Sequence, residues 1–300
     1  MSDPPKESPM EQPPQASDPR EAAQIAYWND KTAASWTALQ ELIDPILAPL
    51  TTLAIQRAEP NDGERALDIG SGCGATILEL ARRVGALGHV LGIDVSAQMS
   101  ARARERIAAA NIANAQVIIA NAATYDFAPV DRDLLFSSFG VMFFADPVAA
   151  LMNLRRAMRR DGRLEWVVWR SLAENPWFTV PLQAVLPLLP PAQAADPLAP
   201  GPFAFADAVR VKDVLHSAGW RNVRVERHDA PLRIAAADDM ATAAEIVTWV
   251  GPLARRLAGS RNNTALQAAV QRSIEDSLRP YTGDNGIVLT ASVWLVSANA

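Results

Sequence analysis

The stretch ALDIGSGCGATILELARR, residues 66–83, passes from a short apolar run into a helical one through Gly70, Gly72 and Gly74. A backbone that turns sharply from strand into helix against a ligand has no room for Cβ atoms. The helix beyond the turn offers free N–H groups and partial positive charge. Strand, loop and helix in this order mark a nucleotide-type site beyond the carboxyl end of a strand in an open sheet. The spacing also reads as Gly70-x-Gly72-x-x-Ala75, an accepted variant of the dinucleotide fingerprint. Asp94, closing the next apolar run, suits a ribose diol with either kind of ligand. Asp68 weighs against a dinucleotide: a carboxylate two residues before Gly70 would repel a pyrophosphate, whereas it can orient an ammonium group.

Outward from this turn the chain alternates. Runs suited to strands occupy Arg65–Ile69, His89–Asp94, Gln116–Ala120, Asp133–Ser138 and Arg163–Trp169. Helical spacing occupies Ala75–Val84, Ser96–Ala110 and Asp146–Arg160, the last opened by Asp146 and Pro147 and stopped at Gly162. Strands alternating with helices predict an α/β fold with a parallel sheet covered on both faces. Upstream, apolar residues recur at helical spacing from Glu21 to Arg57, with a break expected at Asp44-Pro45. Downstream, Ser171–Phe205 holds eight prolines, which forbids a long regular helix. A helix from the cap Asp207 to Gly219, a strand around Val223–Ile234, helices over Asp239–Leu257 and Thr264–Leu278, and a last strand Ile287–Val296 after the Asn285-Gly286 turn complete the expectation.

Composition narrows the function. The chain has 300 residues, 49% of them hydrophobic and 20% charged, with a net charge of −5. A grip on many phosphates needs a basic surface, so a polynucleotide partner is not expected. Cys73 is the only cysteine, which excludes an internal disulfide framework and suits the cytoplasm. No apolar run approaches the ~20 residues of a membrane-spanning helix. The opening MSDPPKESPMEQPPQASDP reads as a disordered tail and lacks the apolar segment of a signal peptide. No cysteine–histidine cluster has metal-ligand spacing, and no metal is expected.

Asp68-Ile-Gly70-Ser-Gly72-Cys-Gly74, followed by Gly92-Ile-Asp94-Val-Ser96, resembles the first two motifs of class I S-adenosylmethionine-dependent methyltransferases. The likeness is to the small-molecule branch that includes ubiquinone and menaquinone biosynthesis enzymes. Ser137–Arg170 is similar to that branch's fourth strand, following helix and fifth strand, and Tyr27–Trp36 to a tryptophan-bearing arm. The resemblance implies a Rossmann-like, seven-stranded α/β sheet, mostly parallel with the last strand antiparallel, N-terminal helices and a helical, proline-rich lid. It divides the chain into a disordered tail (1–20), a helical arm (21–60) and a methyltransferase domain (61–300), with a lid insertion at about 171–205 and a helical insertion at about 238–280.

The implied cofactor is S-adenosyl-L-methionine. Gly70, Gly72 and Gly74 would line its methionine and ribose portions, with Ser71 and Met99 in the same set. Asp94 would accept the ribose hydroxyls, Val95 would pack on adenine, and Asp68 would anchor the loop and the amino group. Ser137 and Phe139 would approach the sulfonium, and Trp36 would close over the cofactor. After the third strand the family often has Gly-Asp-Ala, where this chain has Asn121-Ala122-Ala123, so the carboxylate that meets the adenine amine is missing. The Asn/Asp-Pro-Pro-aromatic motif of nucleic-acid amino-methyltransferases is replaced by Ser137-Ser138-Phe139-Gly140.

Methyl transfer from a sulfonium needs position and a dry site more than a catalyst; proximity and orientation supply roughly 7–11 kcal/mol. The candidate general base is His228, near the ligand-side end of its strand; His89 and His216 read as structural. The lid is expected to cap an apolar acceptor pocket with Met142, Phe143, Trp169 and Trp177, while Arg170 and Asn175 orient a polar handle. The expected activity is methyl transfer to a small, partly apolar acceptor by a cytoplasmic enzyme, with a homodimer permitted. The alternatives are an NAD(P)-dependent oxidoreductase and a non-catalytic S-adenosylmethionine-binding protein.

Overall fold

A computed structural model describes Pro14, Ala16 and residues 18–128, 130–191, 196 and 198–300, so most of the expected tail lies outside the described residues. The chain opens with α1 (Pro19–Tyr27), α2 (Lys31–Ala38) and α3 (Gln40–Ala58). The alternation follows: β1 (Arg65–Ile69), α4 (Ala75–Arg83), β2 (His89–Asp94), α5 (Ala97–Ala109), β3 (Ala115–Ile119), β4 (Arg132–Ser138), α6 (Pro147–Arg156) and β5 (Met158–Trp169). Then come α7 (Pro176–Val185), α8 (Ala208–Ser217), β6 (Arg221–Ala235), α9 (Met240–Trp249), α10 (Gly251–Leu257), α11 (Thr264–Leu278), β7 (Thr282–Gly283) and β8 (Gly286–Asn299).

One sheet runs in the order β3-β2-β1-β4-β5-β8-β6. The first five strands are parallel, and β8 is antiparallel to both β5 and β6. Strand order reverses between β1 and β4, the switch point at which open α/β sheets bind ligands. Among the described residues the sheet holds eight strands where seven were expected. The extra one, β7, is a two-residue hairpin arm that pairs Thr282 with Ile287 and Gly283 with Gly286, so the turn is Asp284-Asn285, one residue before the expected Asn285-Gly286, and Gly286 already belongs to β8. Alternate side chains of β5 serve the two faces: Glu165 meets Arg57 of α3, while Trp166 stacks on Phe205 just before α8.

Four expectations were wrong in detail, each for a packing reason. No break occurs at Asp44-Pro45; α3 runs through Pro45 and Pro49. An interior proline costs about 3 kcal/mol, but Ile43, Ile46 and Leu50 are fully buried on the same helix, each contributing roughly 1.5–3 kcal/mol. The chain breaks instead at residues 28–30 and at Leu39. Helix α6 stops at Arg156, not Arg160, because the Ala157 carbonyl accepts from Asp131 N and Arg132 N and hands the chain to the sheet. Arg160-Asp161-Gly162, where that helix was expected to end, therefore belongs to β5, in a bulge between the pairs Arg132–Met158 and Leu134–Arg163. The stretch Asp239–Leu257 is two helices: Gly251 has φ +62°, and Pro252 bars the helical conformation before it.

Candidate functional site

The cavity at the switch point holds about 640 Å³, within the usual range for small-molecule sites. Its floor is the loop after β1, where Gly70, Gly72 and Gly74 have φ of +67°, +52° and +85°. Beside it Asp94 ends β2 and accepts from Gly72 N (2.8 Å) and Ser96 N (2.8 Å). Burial raises the Asp94 carboxyl above its ordinary value, and those amide bonds oppose the rise. Ser96 also caps α5 through Met99 N (3.3 Å), so one short loop holds the acid and starts the helix.

Across the switch point, β4 delivers Phe139. Its φ of +61° is a strained conformation for an aromatic residue, held by its N–H on Val167 O (3.0 Å) and by stacking on Trp169 at 4.2 Å and 15°. Trp177 and Phe178 from α7 extend this row of rings, and Met142 and Phe143 border it. The arm closes the opposite side. Trp28 meets Phe143 edge-on at 4.9 Å and Trp36 at 6.4 Å. Asn29 donates to Val95 O (2.9 Å) and accepts from Ala97 N (3.1 Å), which ties the arm to the loop carrying Asp94.

Most of the expected residues meet here. Gly70, Ser71, Gly72, Asp94, Val95, Met99, Asn121 and Ala122 line the cavity, as do Trp36, Phe139, Met142, Phe143, Trp169 and Trp177. Asp68, Gly74, Ala123 and Ser137 stand behind the lining. Asp68 is wholly buried under the loop; burial pushes its carboxyl up to about 7, against the hydroxyl bond it accepts from Thr76. Gly74 caps α4 against Ala103, and Ala123 N donates to Asn121 Oδ1 (3.0 Å). Ser137, expected near the sulfonium, donates to Ile69 O (2.8 Å) and accepts from Gly140 N (3.2 Å), locking β4 to β1.

Three expected residues do not reach the cavity. Arg170 is consumed by Asp229 (2.7 Å) and Glu174 and lies over the Trp294 ring at 5.0 Å. Asn175 is fully buried; it donates to Ser171 O and Ser292 O and accepts from Ser292 N (2.8 Å), pinning the lid to β8. His228 sits on the edge strand β6 opposite Val293 and contributes nothing to the lining. Neither Arg170 nor Asn175 is available to orient an acceptor. Sequence reading missed Gly140, Thr76 and Ser138, which all contribute to the lining. The Phe-Gly pair after the fourth strand was the available signal for Gly140.

Two buried oxygens by the loop, Asp68 Oδ1 and Ser71 Oγ, lack protein partners. Buried polar groups are normally satisfied, so an ammonium- and hydroxyl-bearing ligand suits them. The Cys73 thiol lines the same space, but burial raises it to about 11, which keeps it protonated. The residues fit S-adenosylmethionine.

A family described as "methyltransferase domain" matches residues 66–162. The chain is similar to aklanonic acid methyltransferase DauC of Streptomyces sp. (strain C5), 34% identical over 116 residues, and spans about half of that protein's length (53%, against 39% of its own). It is similar to demethylmenaquinone methyltransferase of Corynebacterium kroppenstedtii, 30% identical over 177 residues covering 56% of this chain and 72% of that protein. Among solved structures, Haemonchus contortus phosphoethanolamine N-methyltransferase 2, in complex with phosphomonomethylethanolamine and S-adenosylhomocysteine, shares the fold. Its TM-score is 0.55 at 15% identity, over 95% of this chain and 60% of that one. The chain belongs to the class I S-adenosylmethionine-dependent methyltransferases of the small-molecule branch, which overturns the nicotinamide reading of its glycine spacing.

Proposed function

We propose that the chain methylates a small, partly apolar acceptor by in-line displacement, with the acceptor seated under the lid. The observation that carries this reading is one continuous cavity, joining the glycine loop and Asp94 to the rings of Phe139, Trp169, Trp177 and Phe178. When bound, S-adenosylmethionine supplies an activated methyl carbon whose bond to sulfur breaks as an acceptor lone pair arrives.

This chain's residues bind, orient and exclude water. Asp94, already fixed by two amide N–H groups, takes the ribose hydroxyls on its remaining lone pairs. Ser71, on the cavity wall, offers its unpartnered hydroxyl to the amino-acid end, and Asp68, buried behind the loop, attracts the amino group through space. The ring row and the Trp28–Phe143 contact keep the transfer region dry. Among the described residues no histidine, lysine or tyrosine lines the cavity, although the carboxylates of Asp44 and Glu79 do, and positioning carries most of the rate enhancement. The relatives are named for methylating aklanonic acid and demethylmenaquinone, and an apolar acceptor with an ionisable oxygen or an acidic carbon suits this site. The single free thiol supports a reducing, cytoplasmic setting.

A thermal-shift series tests the reading: millimolar S-adenosylhomocysteine raises Tm and NAD(H) does not. No shift with S-adenosylhomocysteine defeats it. The second reading, a binding protein without turnover, draws on Ala122, which stands where the family carries an adenine-binding carboxylate. Turnover of methyl-labelled S-adenosylmethionine with any acceptor eliminates it.

A further inference from the structure

We infer that Trp177 sets acceptor specificity: its indole N–H donates a hydrogen bond to an oxygen of the molecule seated under the lid. The inference rests on the methyltransferase reading of the same cavity. Trp177 is 3% exposed and lines the cavity, yet its Nε1–H has no hydrogen-bond partner in the protein. Other indoles differ. Trp220 donates to Leu151 O (3.2 Å) and Trp294 to Ala206 O (2.8 Å). Trp166 also lacks a partner, but it is packed against Phe205 in the core and borders no part of the cavity. Of the cavity-lining indoles among the described residues (Trp28, Trp36, Trp169 and Trp177), Trp177 is the one whose unpartnered Nε1 is also shut off from solvent.

The surroundings explain why one donor matters. The ring contacts Trp169 at 5.8 Å and Phe178 at 4.6 Å, and Trp169 stacks on Phe139, so this end of the cavity is almost wholly apolar. A flat apolar ligand can slide within such a slab; a single fixed N–H gives it one orientation. A ligand with no acceptor atom there leaves a dry donor unpaired, and sites built on a buried polar group reject such analogues strongly. Arg170 and Asn175, the other candidate polar handles, are committed to Asp229 and Ser292.

The test uses full-length protein saturated with S-adenosylhomocysteine and two isosteric probes, 2-acetonaphthone and 2-isopropenylnaphthalene, which differ in a carbonyl oxygen against a methylene. Calorimetry gives the ratio of their Kd values. Trp177→Phe keeps the aromatic packing and deletes the N–H. The preference for the ketone is expected to fall about five-fold, with alkene and S-adenosylhomocysteine affinities unchanged. An unchanged ratio, or wild-type protein that binds neither probe, overturns the inference. If the variant does not fold, a crystal structure of wild-type protein with the ketone decides: its oxygen within hydrogen-bond distance of Trp177 Nε1 supports the inference, and any other position overturns it. Loss of S-adenosylhomocysteine binding by wild-type protein would instead defeat the methyltransferase reading, so the two failures are distinguishable.

Discussion

A methyl group on Gly70 would lie 2.7 Å from the Cα of Gly140, so the loops that follow β1 and β4 touch through bare backbone. This contact closes the switch point between β1 and β4. Gly70→Ala and Gly140→Ala are expected to abolish the Tm shift produced by S-adenosylhomocysteine. Gly63→Ala is the control, since Gly63 shares a positive φ (+83°) but has open space around it. It should cost only the backbone strain, about 1–2 kcal/mol, and keep the ligand response.

Asp94 is held by Gly72 N and Ser96 N. Asp94→Ala is expected to weaken S-adenosylhomocysteine binding at least about ten-fold, because charge-assisted bonds are worth about 1.5–3 kcal/mol each. Asp94→Asn, which keeps one oxygen, should lose less. Titration calorimetry reads both, and an unaltered Kd for the alanine variant would refute the ribose assignment.

Asp68 couples ligand binding to pH. Its carboxyl sits at about 7 in the folded chain, against about 3.9 unfolded. Between those values the folded state holds more protons, so Asp68's contribution to stability falls as pH rises from about 4 through about 7. The ionised form is the one that attracts an amino group, so affinity for S-adenosylhomocysteine should rise over the upper part of that window. Asp68→Asn flattens the affinity profile and removes Asp68's share of the stability slope. Parallel thermal-shift and calorimetric series from pH 5 to 8 check the opposed trends.

Glu165 is also buried, and its carboxyl is likewise raised to about 7, with Arg57 Nε at 3.1 Å opposing the rise. Arg57→Met strands that carboxylate, at a cost of about 3–5 kcal/mol. The loss should appear in urea unfolding at pH 8.5 and shrink at pH 5.5, where the carboxyl takes up its proton. Equal losses at both pH values would mean that Arg57 acts through packing alone.

Arg170 and Asn175 should behave as structural residues. Asn175→Ala is expected to lower stability by about 2 kcal/mol, since it leaves the buried backbone groups of Ser292 unsatisfied; Arg170→Met should cost less, about 1 kcal/mol, because its partners Asp229 and Glu174 are exposed. The acceptor KM should not change once the folded fraction is accounted for. His228→Ala should leave kcat and its pH profile unaltered, and a kcat loss there would restore it as a general base.

Five parallel strands, the glycine turn with Asp94, and the caps Asp146 and Asp207 were legible along the chain. Each depends on neighbours a few residues away: alternation, left-handed turns, and side-chain oxygens that reach their own helix starts. Long-range chemistry was not legible. Arg170 pairs with Asp229, 59 residues on, and Asn175 with Ser292, 117 residues on, so their polar ends were spent where local reading left them free. Pro45 and Pro49 are tolerated because the helix around them is buried against the sheet, a gain that no window of sequence contains. Local sterics and periodicity thus wrote the nucleoside half of the cavity into the chain. The sequence also named the ring residues Phe139, Trp169 and Trp177, but the strained φ of Phe139, the stacking of the rings and the unpaired N–H of Trp177 exist because distant segments compete for the same partners, and folding settles that competition.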